Sequence, residues 1–196
     1  MATRREDNTA ATRQALLVAG RELFAESGFD ATGIEAIAER ARVTTGALYH
    51  HFANKKAVFQ AVAEQIEAEL LALGAQAGGT ELWDRLDGAL VLLIEPCAAP
   101  DVQRIVFHDG PRVLAGPIWD DIEQRYALGA LSSMLERLQQ DRIVVDYPAQ
   151  RLAAILLAGL SEVAAAVAGT PKSGRAKAVD QAVGVMRRLL AGMRLA

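Results

Sequence analysis

Apolar residues recur every three or four positions along most of the chain, which predicts an all-α fold. The first stripe, over residues 16–24, predicts a helix from about residue 8 or 9 to residue 27, and Gly28 offers the left-handed backbone that commonly ends a helix. A second stripe of Ile34, Ile37, Ala38 and Ala41 predicts a short helix. The β-like run at residues 143–145 is too short to predict a strand.

Helix-capping residues mark the boundaries of two very short helices between residues 32 and 54. Thr32 and Glu35 have the T-x-x-E spacing of a capping box. Thr44 is placed to cap the next helix, and Asn54 is placed to cap a longer one. Helices this short are stable only when they pack against longer neighbours, so a compact N-terminal unit is expected.

Five further helices are expected beyond residue 70, over roughly residues 81–95, 101–108, 117–140, 148–168 and 174–194. Together with the N-terminal helices they make about nine. We expect an N-terminal three-helix domain with a helix-turn-helix over residues 9–69 and a helical domain over residues 70–196.

The composition fits a cytoplasmic helical protein. Hydrophobic residues make up 52% of the chain, and Cys97 is the single cysteine, which excludes an internal disulfide and a cysteine zinc site. The first residues are charged, with no apolar signal segment behind them. The longest apolar run, residues 152–169, contains Ser161 and Glu162 and is shorter than the roughly 20 residues of a bilayer span. We expect no membrane association and no cofactor.

The charge distribution gives weak support for nucleic-acid binding. The formal net charge is −3, with eight Lys/Arg against seven Asp/Glu in residues 1–60 and an acidic excess in the remainder. The sign of this asymmetry suits a DNA-binding N-terminus, but its size is small.

The helix expected after Thr44 has the surface of a DNA recognition helix. Leu48 and Phe52 share its buried face, which leaves small and polar residues on the outside. Recognition helices touch base edges with their N-terminal residues, where Thr45 can hydrogen-bond and the small residues after it permit close approach. Tyr49 suits a phosphate oxygen.

Residues 10–66 resemble the N-terminal domain of the TetR family of transcriptional regulators. The matching residues are Leu23-Phe24, Gly28-Phe29-Asp30-Ala31-Thr32, Ile37-Ala38-Glu39, Ala41, Val43-Thr44, Gly46-Ala47-Leu48-Tyr49-His50-His51-Phe52 and Asn54-Lys55-Lys56. The resemblance covers under a third of the chain. It implies a repressor that reads a palindromic DNA operator as a homodimer and is released when its C-terminal body binds a small molecule.

This chain departs from the family at the turn before Val43, where Arg42 replaces the usual glycine. Either the turn avoids a left-handed angle, or it accepts strain of order 1 kcal/mol. Gly33 stands where the family commonly has Ser or Thr, and Glu35 where related proteins often have a basic residue. The expected DNA-binding residues are Thr32, Gly33, Arg42, Thr44, Thr45, Gly46, Ala47, Tyr49, His50, His51 and Lys55.

The C-terminal helices are expected to provide a dimer interface and an effector site. For the interface we expect residues on the last two helices, namely Leu152, Leu156, Gly159, Leu160, Val163, Val167, Val179, Val183, Met186 and Leu190. The alternative is that these residues form an internal core. For a small, largely apolar effector we expect a site lined by Trp83, Leu86, Leu90, Cys97, His108, Trp119, Ile122 and Tyr126. Each of these could instead be an ordinary core residue.

The rival interpretation is an all-α ligand-binding protein or enzyme with an incidental helix-turn-helix. An enzyme needs a converging nucleophile, base and orienting group. His50 and His51 are better explained as DNA contacts, and as helix neighbours they diverge by about 100°, so they cannot readily share a metal ion. Because His108 is then the remaining histidine, we expect neither an enzyme nor a metal site.

Overall fold

The computed structural model describes the backbone of residues 4–195 and the side chains of residues 9–195. Its α-helices are α1 (Arg4–Ala31), α2 (Ile34–Arg40), α3 (Thr45–His51), α4 (Lys55–Gly74), α5 (Leu82–Cys97), α6 (Pro100–Val102), α7 (Gly110–Val113), α8 (Pro117–Arg125), α9 (Ala127–Gln140), α10 (Ala149–Ala168) and α11 (Arg175–Ala191). A π-helical segment (Gln103–Asp109) joins α6 to α7, and a 3₁₀ turn (Lys172–Gly174) precedes α11. The all-α prediction is confirmed.

Local capping chemistry sets the boundaries of the short helices. Thr44 Oγ1 accepts a hydrogen bond from Ala47 N at 3.1 Å, and Asn54 Oδ1 accepts one from Ala57 N at 2.9 Å, so both predicted caps are confirmed. The predicted capping box at Thr32 is wrong, because Gly33 is the N-cap of α2 and makes no side-chain capping bond.

Helix α1 consists of two helical stretches joined at Gly28, where the backbone is non-helical with φ of 77° and ψ of 172°. The predicted end of the first helical stretch near residue 27 is confirmed, and a short second stretch continues to Ala31. The guanidinium of Arg104 lies against Gly28, so a side chain at this position would also have to displace the flexible end of Arg104. The positive φ predicted at Gly28 is present, and it ends the first helical stretch.

The N-terminal helices enclose an aromatic cluster. The ring of Phe59 meets those of Phe24 and Phe29 edge to face, with centroids 5.1 Å and 5.2 Å away. Ile37 of α2 and Leu48 of α3 are fully buried beside it, which holds both short helices against α1 and α4. Packing on longer helices is thus what stabilises helices of seven residues.

A second apolar core lies among α5, α9, α10 and α11. Leu70 of α4 and Phe107 of the π-helical segment pack against both cores and mark where they adjoin. Val144 and Arg194 form an isolated antiparallel bridge that ties the chain after α9 to the end of the described chain.

The helix predicted over residues 117–140 is two helices. The chain breaks at Tyr126, whose φ of −115° and ψ of −102° end α8 and begin α9. Gly129 makes this break possible, because the carbonyl oxygen of Gln124 occupies the place where a Cβ atom would lie. When the unbroken run of α6, the π-helical segment and α7 is counted once, and the 3₁₀ turn is counted with α11, the described residues hold ten helical stretches instead of about nine.

Candidate nucleic-acid interface

Helix α3 has one buried face and one open face. Leu48 and Phe52 are buried, whereas Tyr49 keeps 53% of its surface exposed and His50 is also exposed. Thr45, Ala47 and His51 are half-buried, and Thr44 is exposed at the helix start. The structure therefore brings most of the predicted DNA-contacting residues together on one uncovered surface, which we call the α3 surface.

Glycine at residue 46 is not required by the packing of this chain. A Cβ atom added at Gly46 would meet only Thr44 Oγ1, at 3.9 Å, and one added at Gly33 would meet only a carboxylate oxygen of Glu35, at 3.5 Å. Both are exposed. Small residues with open space above them permit close approach of an external partner.

The turn between α2 and α3 accepts a strained backbone. The Val43 N–H donates to Ala38 O at 3.0 Å and the Arg42 N–H donates to Glu39 O at 2.9 Å, which together form a Schellman motif. Arg42 occupies the position where this motif favours glycine, with φ of 58°. Its exposed side chain has no ion pair with another described residue and is available to a phosphate.

Two predicted contacts are corrected by the structure. Thr32 is buried, and its hydroxyl donates to Gly28 O at 2.7 Å and Leu23 O at 3.2 Å, so it faces the protein. Lys55 Nζ donates to the carbonyl oxygens of Phe29 and Thr32 at 2.7 Å and 2.9 Å. Because it also lies 4.3 Å from the centre of the Phe29 ring, its ammonium group is committed to closing the end of α1.

Two basic residues near the α3 surface were missed. Lys56 is exposed, next to Lys55, whose ammonium group already bonds to backbone carbonyl oxygens. The guanidinium of Arg13 stacks 5.2 Å from the centre of the Phe52 ring, which brings a charge from α1 to the edge of α3. The sequence does not show which of the adjacent Lys55 and Lys56 side chains is free to contact DNA. Nothing local in the sequence places Arg13 near residue 52.

A buried carboxylate attaches this N-terminal unit to the rest of the chain. Asp109 Oδ2 accepts a hydrogen bond from the Phe29 N–H at 2.9 Å, and its Oδ1 lies 2.9 Å from His108 Nδ1 and 3.2 Å from Arg112 Nη2. Arg104 Nε lies 3.4 Å from Oδ2. We call this cluster the Asp109 latch, and nothing in the sequence predicted it.

Electrostatics favour the ionised form of Asp109. Burial alone would raise the pKa of this carboxyl, but hydrogen bonds from the Phe29 N–H, His108 and Arg112, with the charge of Arg104, outweigh it and lower the pKa to about 2. Arg112 also pairs with Asp30 at 2.8 Å, so the latch joins the end of α1 at two points.

The predicted effector-site residues do not share one cavity wall. Trp119 and Ile122 are buried in the first core with Tyr126 beside them, whereas Leu86, Leu90 and Cys97 are buried in the second core with Trp83 at its edge. The break at Tyr126 divides the predicted stripe between α8 and α9. His108 is corrected as well, since its mostly exposed side chain belongs to the Asp109 latch.

A solvent-open groove of about 490 Å³ lies elsewhere, between the end of α9 and the last described residues. Its lining includes Glu136, Arg142, Asp146 and Leu195, and none of the predicted effector-site residues.

The predicted dimer-interface residues mostly face inward. Leu152, Leu156, Leu160, Val167, Met186 and Leu190 are buried in the second core, with Val163, Val179 and Val183 packed against it. A Cβ atom added at Gly159 would lie 3.5 Å from the side chains of Met186 and Leu189. The buried positions of these residues agree with the alternative to a dimer interface, namely an internal core.

The opposite face of α10 and α11 is apolar and uncovered. Ile155 and Val185 are 48% and 51% exposed, and Leu189 is also exposed. Alanines 154, 158, 165 and 166 surround them on α10. By length and composition alone α10 is apolar enough to cross a membrane, with a mean hydropathy of 1.8, and a third of that stretch is buried within the chain.

Comparisons with known proteins agree with this geometry. The family model "Bacterial regulatory proteins, tetR family" matches residues 16–62, and "Tetracyclin repressor-like, C-terminal domain" matches residues 83–193. The Transposon Tn10 TetC protein of Escherichia coli is 26% identical over 158 residues, 77% of each chain. The transcriptional regulator UidR of E. coli strain K12 is 41% identical over 61 residues, 31% of each chain.

Solved structures extend the likeness over the whole chain. A TetR-family transcriptional regulator from Pectobacterium atrosepticum is 30% identical, with a TM-score of 0.71 covering 100% of this chain and 99% of that one. The fatty acid degradation regulator FadR of Bacillus halodurans is 16% identical and shares the fold, with a TM-score of 0.76 over 91% of this chain and 94% of its own. The chain belongs to the TetR family of helix-turn-helix transcriptional regulators.

Proposed function

We propose that this regulator is a cytoplasmic repressor that binds a palindromic operator as a homodimer and is released by a small, largely apolar effector. The α3 surface carries this proposal. Tyr49 is 53% exposed and has no hydrogen bond or ring contact with another described residue, and a Cβ atom added at Gly46 would meet only Thr44 Oγ1, at 3.9 Å. Both residues suit insertion into a major groove. Arg42 and Lys56 at its edges suit phosphate oxygens.

Within the proposed repressor, residues 9–69 form the DNA-binding domain and residues 70–196 the effector-binding and dimerisation domain. Helix α4 crosses this boundary, since it runs from Lys55 to Gly74. One rigid helix therefore has its first turn beside α3 and its last turns between the two cores, which is a direct path for coupling the two activities.

The uncovered face of α10 and α11 supports the proposed homodimer. A palindromic operator requires two recognition helices related by a two-fold axis, with about 34–36 Å between half-sites or a multiple of that distance. Two copies joined through Ile155 and Val185 would form a four-helix interface, with alanines permitting close approach.

Sedimentation analysis of Ile155→Glu tests this interface. We expect the variant to be monomeric and to lose most of its operator affinity, because a buried charge opposes association. Val18→Glu is the matched control, since Val18 has the same exposed fraction of 48% on α1, outside the proposed interface. A dimeric Ile155→Glu protein would exclude this face.

DNA binding is tested by titrating the DNA that flanks the gene at several salt concentrations. We expect log affinity to fall steeply with log salt, because phosphate contacts release counterions. Tyr49→Ala should weaken binding to all sequences, whereas Thr45→Ala should change the preference between operators. Tyr147→Ala is the control, because Tyr147 is 52% exposed against 53% for Tyr49 and lies in the C-terminal domain. Equal losses for both tyrosine variants would contradict the proposed surface.

A further inference from the structure

Glu67 of α4 is a buried acid without a partner. Only 6% of its surface is exposed, and no hydrogen bond or ion pair joins it to another described residue. Among the described residues, every fully enclosed side-chain nitrogen or oxygen has a hydrogen-bond partner. The unpartnered carboxylate oxygens of Glu67 are therefore not fully enclosed, and a group of about the size of a water molecule can still reach them.

The surroundings of this carboxylate are apolar on several sides. Glu67 lies on the α4 stripe between the two cores, one turn from Ala63 and near Leu70, which packs against both. The negative charge of Glu123 in α8 acts on Glu67, and the charge of Glu67 acts on the buried thiol of Cys97 in α5. Glu123 accepts a hydrogen bond from the Trp119 indole at 2.9 Å, which places an aromatic ring beside the acidic pair.

The neighbouring cations are already used. Arg125 pairs with Glu64 at 2.9 Å and with Asp121 at 2.7 Å. Arg104 and Arg112 belong to the Asp109 latch, and the exposed His108 contacts Asp109 as well. Burial raises the pKa of the Cys97 thiol to about 12, so this group stays neutral. Neither the buried Glu67 nor the half-buried Glu123 has an ion-pair partner among the described residues.

Ionisation of Glu67 is consequently costly in the free protein. Burial, with the negative charge of Glu123, raises its pKa to about 7. A buried acid of this kind gains most from a ligand that supplies a positive charge and a hydrogen-bond donor together.

We infer that Glu67, supported by Glu123, recognises the basic nitrogen of an amphipathic amine whose apolar part lies between the two cores against Trp119. A divalent metal is disfavoured, because no group of three possible metal ligands is found among the described residues. An organic ammonium needs only one or two carboxylates, and an aromatic ring adds a cation–π contact. This inference rests on the effector-binding function proposed above and narrows its ligand to a cation.

Calorimetric titration of the full chain at pH 8 tests the inference without DNA. Naphthylmethylamine is the probe, and naphthylmethanol is the neutral molecule of matched shape. We expect the amine to bind at least about tenfold more tightly than the alcohol, as for a charge-assisted hydrogen bond. Glu67→Gln should abolish this preference without weakening the alcohol. Glu64→Gln should preserve it, since the carboxylate of Glu64 on the same helix is already paired with Arg125.

Equal binding of amine and alcohol, no binding of the amine, or an unchanged preference in Glu67→Gln would each overturn the inference. The operator titration described above remains valid in all three cases, so the proposed DNA-binding function would stand. Amine binding that leaves the protein–DNA complex intact would support the amine site and count against effector-driven release.

Discussion

Asp109 in the latch and Glu67 in the interior are both more than nine-tenths buried, yet they are satisfied in opposite ways. Asp109 receives a backbone N–H and faces three basic side chains, whereas Glu67 has no partner among the described residues. The pKa of Asp109 falls to about 2, and that of Glu67 rises to about 7.

The two buried carboxylates therefore have different roles: Asp109 stabilises the local structure, and Glu67 is available to a ligand. A buried carboxylate that is fully hydrogen-bonded fixes the geometry around it, while an unpaired one costs free energy until a ligand supplies the missing charge. Asp109, beside the DNA-binding helices, is the fully hydrogen-bonded kind, and Glu67, in the interior, is the unpaired kind among the described residues. Stability measurements on matched variants of the two regions should therefore give opposite signs.

Asp109→Asn should give the largest effect. We expect a loss of about 4 kcal/mol in the free energy of unfolding at pH 7, because the substitution removes the charge of a buried carboxylate and leaves the half-exposed Arg104 and Arg112 facing a neutral amide. Urea denaturation followed by circular dichroism measures it. Asp101→Asn is the control, since the pair between Asp101 and Arg21 is partly exposed and should contribute about 1 kcal/mol or less. Equal losses would show that the latch is an ordinary surface cluster.

The pH dependence of the wild-type protein gives a second test of the latch. The folded pKa of Asp109 lies below its ordinary value of 3.8, so its stabilisation is present above about pH 4 and is lost as pH falls through about 2. It amounts to about 2 kcal/mol. Asp109→Asn should remove this part of the acid denaturation curve.

Glu67→Gln should act in the opposite direction. The folded pKa of Glu67 lies above its ordinary value of 4.5, so the folded state holds its proton longer than the unfolded state and stability falls as pH rises from about 4.5 to about 7. We expect the variant to be more stable than wild type by up to about 3 kcal/mol at pH 8 and equal to it at pH 4. Unfolding curves at the two pH values decide this, and a destabilised variant at pH 8 would mean that Glu67 has an essential partner.

The sequence could have revealed Glu67 but not Asp109. Phe59, Ala63 and Glu67 are four residues apart, so an acid interrupts the buried stripe of α4, which is a local signal. The partners of Asp109 include Phe29, 80 residues away, and no local pattern reports such a contact. Local chemistry accordingly predicted the caps at Thr44 and Asn54, whereas Thr32 was misassigned because its hydroxyl turns back to α1.

The predicted dimer interface shows a further limit of sequence reasoning. Helix α10 is apolar around most of its circumference, so periodicity alone cannot tell which side faces inward. The leucines face the second core, and the outward side keeps alanines with Ile155. Likewise, nothing in the residues around Tyr126 marks a helix end, because the break depends on how closely the carbonyl of Gln124 approaches Gly129.

Gly46→Ala should separate DNA contact from stability. Because an added Cβ atom at Gly46 has open space, the free energy of unfolding should stay within about 0.5 kcal/mol or increase slightly. Operator affinity should fall about tenfold, or 1.4 kcal/mol, because the methyl group separates α3 from the bases. Gly88→Ala in α5 is the control, since its Cβ would make ordinary contacts at 3.4 Å and 3.6 Å. Unchanged operator affinity in Gly46→Ala would place the recognition surface elsewhere.

Arg42→Gly and Arg142→Gly compare one backbone motif in the two regions and should give the smallest effects. Arg142 closes a second Schellman motif at the end of α9, with φ of 54° against 58° for Arg42. Either substitution should stabilise the fold by about 0.5–1 kcal/mol, because glycine relieves the left-handed strain. Only Arg42→Gly should weaken operator binding, and it should lower the salt slope by about one, as expected for one lost phosphate contact. Thermal unfolding and salt-dependent titration of both variants measure these quantities. Arg42 and Arg142 have the same backbone strain but lie in different surroundings. A difference in DNA affinity between the two variants would therefore come from the place of Arg42 beside the α3 surface and not from the relief of strain.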